Sequence, residues 1–328
     1  MTPDLSIIIV NWNVCDLLRD CLASLYGAPG AIQGDNGTLR LGRYGVEVYV
    51  VDNASADGSV EMLRAEFPQV TLIASADNLG FTRGNNLALG RSQGRYVLLL
   101  NPDTRVIDDA LTTLLDYAEA HPDVGVLGPR LLYADGSPAP SRYRFPTLMT
   151  ALMESTRLEE CFPRNCWTRR YHMADTPDDA TQAVGWVNGA CMLVRRAAFE
   201  RVGPLDEGFF MYSEEVDWCR RITDAGWQVV YLPTATVMHY EGRSSAQVAP
   251  ARHIRFQTSK IRYFRKHHGR WQAGLLRAFL WLDYAARLLT EGAKYLLGHK
   301  RALRRERITA YWQVLRSGLR PAAPGESR

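Results

Sequence analysis

Asn11-Trp12-Asn13, Asp52-Asn53-Ala54-Ser55 and Asn101-Pro102-Asp103 each follow a short apolar run rich in β-branched residues or leucine. Asn, Asp and Ser close strands as turn formers wherever they occur, which accounts for any one of the three. Three such clusters at three strand ends fit a ligand site better, because open α/β sheets bind ligands beyond the carboxyl ends of their strands. A fourth group is acidic, Glu214-Glu215-Val216-Asp217 at the start of a helical stretch. Carboxylates in a first turn are stabilised by the helix dipole, and they are also groups that accept a proton from an attacking hydroxyl. Asp217 has Arg220 and Arg221 three and four residues on, the spacing of an intrahelical ion pair. His239 ends a strand-like run, where a histidine serves either as a hydrogen-bonded structural residue or as a metal ligand.

These groups need elements to hold them. Leu5-Ser-Ile-Ile-Ile-Val10 is a continuous apolar run, the pattern of a parallel strand buried on both faces. Leu17, Leu18, Cys21, Leu22 and Leu25 recur at helical spacing within Cys15–Tyr26. Gly27–Gly45 reads as a long loop or irregular hairpin. Val46–Val51, Val70–Ile73 and Tyr96–Leu100 are expected as strands, and Ser59–Phe67, Phe81–Arg91 and Asp109–His121 as helices, the last stopped by Pro122. This alternation predicts an α/β fold with a mainly parallel central sheet. After Val124–Tyr133 the regularity fades, and Ala134–Ala183 is expected to be a mobile lid or an acceptor-facing insertion. Order returns with Val184–Arg195, a helix over Glu214–Ala225, and apolar runs at Gln228–Leu232 and Thr236–His239.

The chain lacks a G-x-x-x-x-G-K-[ST] phosphate loop, a G-x-G-x-x-G after the first strand, and a G-x-S-x-G elbow. P-loop, dinucleotide-binding and serine-hydrolase chemistry are thereby set aside.

As an ordered set, the segments resemble the family-2 glycosyltransferases of the GT-A fold, particularly the branch that contains rhamnosyltransferases. The matching pieces are Ser6-Ile-Ile-Ile-Val-Asn-Trp-Asn13, Val51-Asp-Asn-Ala-Ser55, Asn78-Leu-Gly-Phe-Thr-Arg-Gly-Asn-Asn86 and Leu100-Asn-Pro-Asp-Thr104. Gly185–Arg196, Phe209-Phe-Met-Tyr-Ser-Glu-Glu-Val-Asp-Trp218 and His239-Tyr-Glu-Gly242 complete the set. The resemblance implies an inverting transferase that moves a sugar from a nucleotide-diphosphate donor, dTDP-rhamnose in that branch, to a hydroxyl of a saccharide or lipid-linked saccharide.

It also implies roles. Asp52 would accept a hydrogen bond from the nucleotide base, with Trp12 and Asn13 lining the same pocket and Arg83 near the nucleotide or its diphosphate. Asp103 stands where the family keeps the metal-binding aspartate of its D-x-D motif, with Asn101 in place of the first carboxylate. His239 would be a second ligand to Mg²⁺ or Mn²⁺, a hard ion that takes further oxygens from the diphosphate. Arg243 and Ser244 are expected near phosphate. Glu215 matches the family's catalytic carboxylate and would be the general base, with Asp217 as the alternative.

Composition divides the chain in two. Residues 251–320 hold 17 Lys and Arg against 3 Asp and Glu, a balance of +14, and residues 321–328 cancel. The net charge of +4 therefore leaves 4 − 14 = −10 for residues 1–250. We read 1–250 as the catalytic domain and 251–328 as a basic amphipathic helical extension. Within it Trp271, Leu275, Phe279, Leu282, Leu289 and Leu296 mark one helix face, and Lys300, Arg301, Arg304, Arg305 and Arg307 follow. Such a helix suits an anionic membrane surface, packing on the catalytic body, or an oligomer interface; nucleic acid is disfavoured because no binding module accompanies the charge. Without a secretory leader pattern, and with six scattered cysteines read as reduced and mostly buried, the expected location is cytoplasmic, with peripheral attachment to the inner membrane face as an option. Two other classes compete with the enzyme: a non-catalytic nucleotide-sugar-binding protein and a membrane-surface assembly factor in polysaccharide synthesis.

Overall fold

The strand β1 (Leu5–Asn11) is buried at every residue. It pairs in parallel with β4 (Tyr44–Asn53) on one side and β6 (Tyr96–Leu100) on the other. The helix α1 (Cys15–Tyr26) lays Leu18, Cys21, Leu22 and Leu25 on the sheet, the i, i+3, i+4, i+7 stripe of a core-facing helix. Each leucine so buried contributes about 1.5–3 kcal/mol, and Leu22→Ala costs about 2–5 kcal/mol.

The glycine-rich stretch that follows is a hairpin: β2 (Ala31–Gln33) pairs antiparallel with β3 (Leu39–Leu41), which pairs with β4. Next come α2 (Ser59–Glu66), β5 (Thr71–Ser75) parallel to β4, and α3 (Gly80–Leu89). Gly84 on α3 has a packing reason, since a Cβ there would stand 2.9 Å from a Val10 methyl. Beyond β6 lie β7 (Thr104–Val106), α4 (Ala110–Ala120) and β8 (Val124–Leu132).

The computed structural model describes residues 2–34, 39–156, 158–240 and 249–320. Ala134–Ala183, expected to be irregular, contains β9 (Pro138–Ala139), β10 (Arg142–Tyr143), α5 (Leu148–Ser155), α6 (Leu158–Cys161), α7 (Cys166–Tyr171) and β11 (Gln182–Ala183). Two of these helices carry N-caps, with Thr147 and Asn165 accepting from the amides of Thr150 and Thr168. Then follow β12 (Trp186–Val187), β13 (Cys191–Arg195), α8 (Arg196–Val202), α9 (Glu214–Asp224) and β14 (Gln228–His239). The two apolar runs read at the end of this stretch are one strand with a register shift between Leu232 and Thr236. The last elements are α10 (Ala249–His267), α11 (Gly269–Leu296) and α12 (Arg301–Ser317).

The chain divides into two compact units. The first comprises Met1–Phe145, Thr176–Asp206 and Glu214–Ser244; the second, Pro146–Asp175, Glu207–Ser213 and Ser245–Arg328. In the first, one sheet runs β11-β14-β8-β13-β6-β1-β4-β3-β2, with β5 also on β4 and β7 also on β14. The β5-β4-β1-β6 half is parallel throughout, β13 is antiparallel to both its neighbours, and β14 is parallel to β8. The second unit is helical: α10, α11 and α12 pack together, and α5 packs on α11. Three of the cysteines, Cys21, Cys191 and Cys219, are buried, whereas Cys161 and Cys166 are exposed.

Candidate active site

The carboxyl ends of β1, β4 and β6 lie side by side because these strands run parallel, with Asn11 opposite Asp52. The Asp52 carboxylate, 1% exposed, is held by its neighbours. One oxygen accepts from the Asn11 side-chain amide at 2.9 Å and the other from the Ser55 backbone N–H at 2.9 Å. Ser55 Oγ accepts from the Asn13 backbone N–H at 3.0 Å, and the Asn13 side-chain oxygen accepts from the Ala56 N–H at 2.8 Å. Asn13 and Ala54 hold φ of 52° and 59°, left-handed values uncommon for residues other than glycine. Asp52 and Asn13 thus shape the two loops that end β1 and β4, with Trp12 half-buried between Asn11 and Asn13.

The asparagine-rich segment around α3 is largely structural. Asn78 accepts from the Gly80 N–H at 2.9 Å, and Asn86 pairs both ways with the Leu205 backbone, at 2.9 and 3.1 Å. Arg83 is exposed on this helix.

At the end of β6 the Asn101 carbonyl accepts from Thr104 Oγ1 at 2.7 Å and from Cys21 Sγ at 3.6 Å, which ties the Asn-Pro-Asp-Thr turn to α1. Burial pushes the Cys21 thiol up to about 12, so it stays a neutral donor. Antiparallel pairing of β14 with β7 sets His239 opposite Thr104, and the Tyr240 N–H donates to the Asp103 carbonyl at 2.9 Å. His239 Nε2 thereby lies 3.3 Å from Asp103 Oδ1, with both residues buried. Two ligands at right angles about 2.1 Å from a small divalent ion stand about 3 Å apart, so the pair has the bite of two metal ligands. Among the described residues no group of three or more His, Cys, Asp or Glu could hold an ion; a metal here would complete its shell with oxygens from elsewhere. Asn11, Asn53 and Asn101, one at each strand end, have buried side-chain oxygens without a hydrogen-bond partner among the described residues. Such atoms cost stability unless water or a ligand satisfies them.

The acidic helix reaches the same edge through β13. The Asn101 N–H donates to the Ala190 carbonyl at 2.9 Å, and a Cβ on the adjacent Gly189 would meet the Glu215 side chain at 3.6–4.0 Å. Glu215, at the start of α9, is half-buried there. Tyr212 and Ser213, just before the helix, have φ of 71° and 65°, two consecutive strained positions of the kind that cluster at functional sites.

Glu214 is 4% exposed. Burial first, then the nearby Glu215 and Asp217 charges, raise its pKa well above the carboxylate range. The Asp217 side chain is fully buried and paired with Arg221 at 2.9 Å. Arg221 also donates to the carbonyls of Val202, Gly203 and Pro204. Arg220, three residues on from Asp217 and so also within helical reach of it, pairs instead with Asp224 at 3.0 Å.

The structure therefore gathers Asn101, Asp103, His239 and Glu215 at one sheet edge, next to the loops of Trp12, Asn13 and Asp52. Arg243 and Ser244 lie outside the described residues. Sequence reading placed Asn11 and Ser55 in the strand-end clusters without giving either a role of its own, and overlooked Gly189 and the left-handed pair before Glu214; of these, the Asn188-Gly189 dipeptide carried a turn signal.

A mixed sheet whose β5-β4-β1-β6 half is parallel, with an Asn-Pro-Asp turn after β6, matches the GT-A fold. A mannosyltransferase from Pyrobaculum calidifontis, solved in complex with GDP-Man and Mn²⁺, shares this fold at a TM-score of 0.53 and 16% identity, over 96% of this chain and 86% of that one. Residues 6–203 match the model of glycosyl transferase family 2, and the chain belongs to that family. It is 35% identical over 243 residues to an N-acetylglucosaminyl-diphospho-decaprenol L-rhamnosyltransferase of Mycobacterium tuberculosis, covering 70% of this chain and 78% of the relative. It is 28% identical over 180 residues to the rhamnosyltransferase WbbL of Escherichia coli, covering 49% and 61%.

Proposed function

We propose that the protein is an inverting rhamnosyltransferase that uses dTDP-rhamnose and extends a lipid-linked saccharide at the inner face of the cell membrane. The observation that carries the reading is the Asp103–His239 pair, 3.3 Å apart, at the sheet edge that Glu215 also reaches through Gly189 and Asn101. The names of the two rhamnosyltransferase relatives supply the sugar, and that of the first supplies the lipid diphosphate acceptor.

In this reading the loops of Trp12, Asn13 and Asp52 cradle the base, and Arg83 neutralises diphosphate charge from the exposed side of α3. Asp103 and His239 would hold Mg²⁺ or Mn²⁺, which when bound stabilises negative charge on the departing nucleotide diphosphate. Glu215 takes the proton of the acceptor hydroxyl as its oxygen bonds to the anomeric carbon from the face opposite the breaking carbon–phosphate-oxygen bond. Asp217 orients α9 through Arg221. Burial disfavours ionisation of Glu214 and so limits negative charge beside the base.

The test is transfer by the full-length protein from dTDP-rhamnose to a polyprenyl diphosphate N-acetylglucosamine, with product read by mass spectrometry and its anomeric configuration by NMR. Formation of the rhamnosyl disaccharide lipid with inverted anomeric configuration is expected. Donor binding without turnover on any acceptor would instead make the protein a nucleotide-sugar-binding module.

A further inference from the structure

The face that periodicity picks out on α11 points outward. Ala273, Leu276, Leu280 and Tyr284 are buried along one side, while Trp271, Leu282, Leu289 and Leu296 are 76%, 61%, 76% and 78% exposed. At 100° per residue these four, with Leu275, fall in one stripe opposite the buried side. None of the helix's charged residues (Arg270, Arg277, Asp283, Arg287, Glu291 and Lys294) lies in that stripe. It runs roughly 40 Å along the axis. Among the described residues, every exposed large hydrophobic except Ile32 belongs to the second unit. A surface of that kind marks an interaction site.

Charge says what covers it. Residues 251–320 carry +14, and two of their three acids are already bound, Asp283 to Arg287 and Glu291 to Arg304, each at 2.6 Å. A second copy would bring the same positive field against this one, which opposes self-association. An anionic bilayer complements both features, since apolar side chains enter the interface while lysines and arginines meet lipid headgroups. No described helix is long and apolar enough to cross a membrane. We propose that α11 lies flat on an anionic phospholipid surface through its Trp271–Leu296 stripe. The inference deepens the membrane part of the function proposed above and is independent of its chemistry.

The experiment is co-sedimentation of the full-length protein, without donor or acceptor, with vesicles of phosphatidylcholine alone or mixed equally with phosphatidylglycerol. Binding to the anionic vesicles should be at least about tenfold tighter, given about fivefold per engaged cation. The double variant L282E/L289E, altered only at exposed positions, should lose about tenfold or more on anionic vesicles with an unchanged melting temperature. R305Q/R316Q should weaken anionic binding and leave transferase activity on a water-soluble acceptor intact. Wild-type protein that ignores anionic vesicles would overturn the proposal. So would an L282E/L289E variant that binds like wild type, including one that merely dissociates a dimer in sedimentation velocity.

Discussion

Glu215 and Asp217 are two residues apart on α9, yet their surroundings predict opposite responses to loss of charge. Asp217→Asn keeps the side chain's size and one acceptor oxygen but removes the charge facing Arg221, 2.9 Å away, at a side chain with no exposure. Removing one partner of a buried ion pair costs about 3–5 kcal/mol when the other is stranded. Arg221 is not stranded, because the Val202, Gly203 and Pro204 carbonyls still receive its N–H groups. The loss therefore reduces to one charge-assisted hydrogen bond, about 2 kcal/mol, or roughly 4–8 °C in melting temperature for a domain of this size. Glu215→Gln leaves the packing against Gly189 intact but abolishes proton acceptance, so the chemical step should slow by about a hundredfold or more. Donor affinity should barely move, because the base acts on the acceptor. Single-turnover rates, donor dissociation constants and thermal melts of both variants separate the effects. Should Asp217→Asn abolish turnover without lowering the melting temperature while Glu215→Gln stays active, the two roles are exchanged and the argument from burial fails.

Two further outcomes follow from the same edge of the sheet. Chelator should abolish transfer, with Mg²⁺ or Mn²⁺ restoring it, and Asp103→Ala or His239→Ala should weaken donor binding in metal but change it little in chelator; full activity in excess chelator refutes the metal pair. Glu214 has its pKa raised on folding, so above about pH 4.5 the unfolded chain ionises more readily than the folded one, and this residue's contribution falls as pH rises toward its folded pKa. Glu214→Gln, a permanent mimic of the neutral form, should melt higher than wild type at pH 7, with the gap closing near pH 4; equal melting temperatures at both pH values refute a neutral Glu214.

The α/β alternation was legible because its physical causes are local. A parallel strand buried on both faces needs a continuous apolar run, as in Leu5–Val10, and a helix laid on it needs the Leu18, Leu22, Leu25 spacing. The strand-end clusters were legible for the same reason. The 146–175 helices were not, because they are short and rest on single caps at Thr147 and Asn165 within a polar, proline-rich stretch. Tertiary structure alone brought His239 to Asp103, since that contact depends on the register of β14 against β7 across most of the domain. It also chose Arg221 over Arg220 for Asp217: spacing permits both, but only Arg221 faces the backbone carbonyls that hold it inside. The stripe on α11 states the limit most plainly. Sequence by itself determined that Trp271, Leu282 and Leu289 share a face, because helical periodicity is a property of the local backbone. Whether that face is buried depends on what packs against the helix, and the bundle took the opposite side.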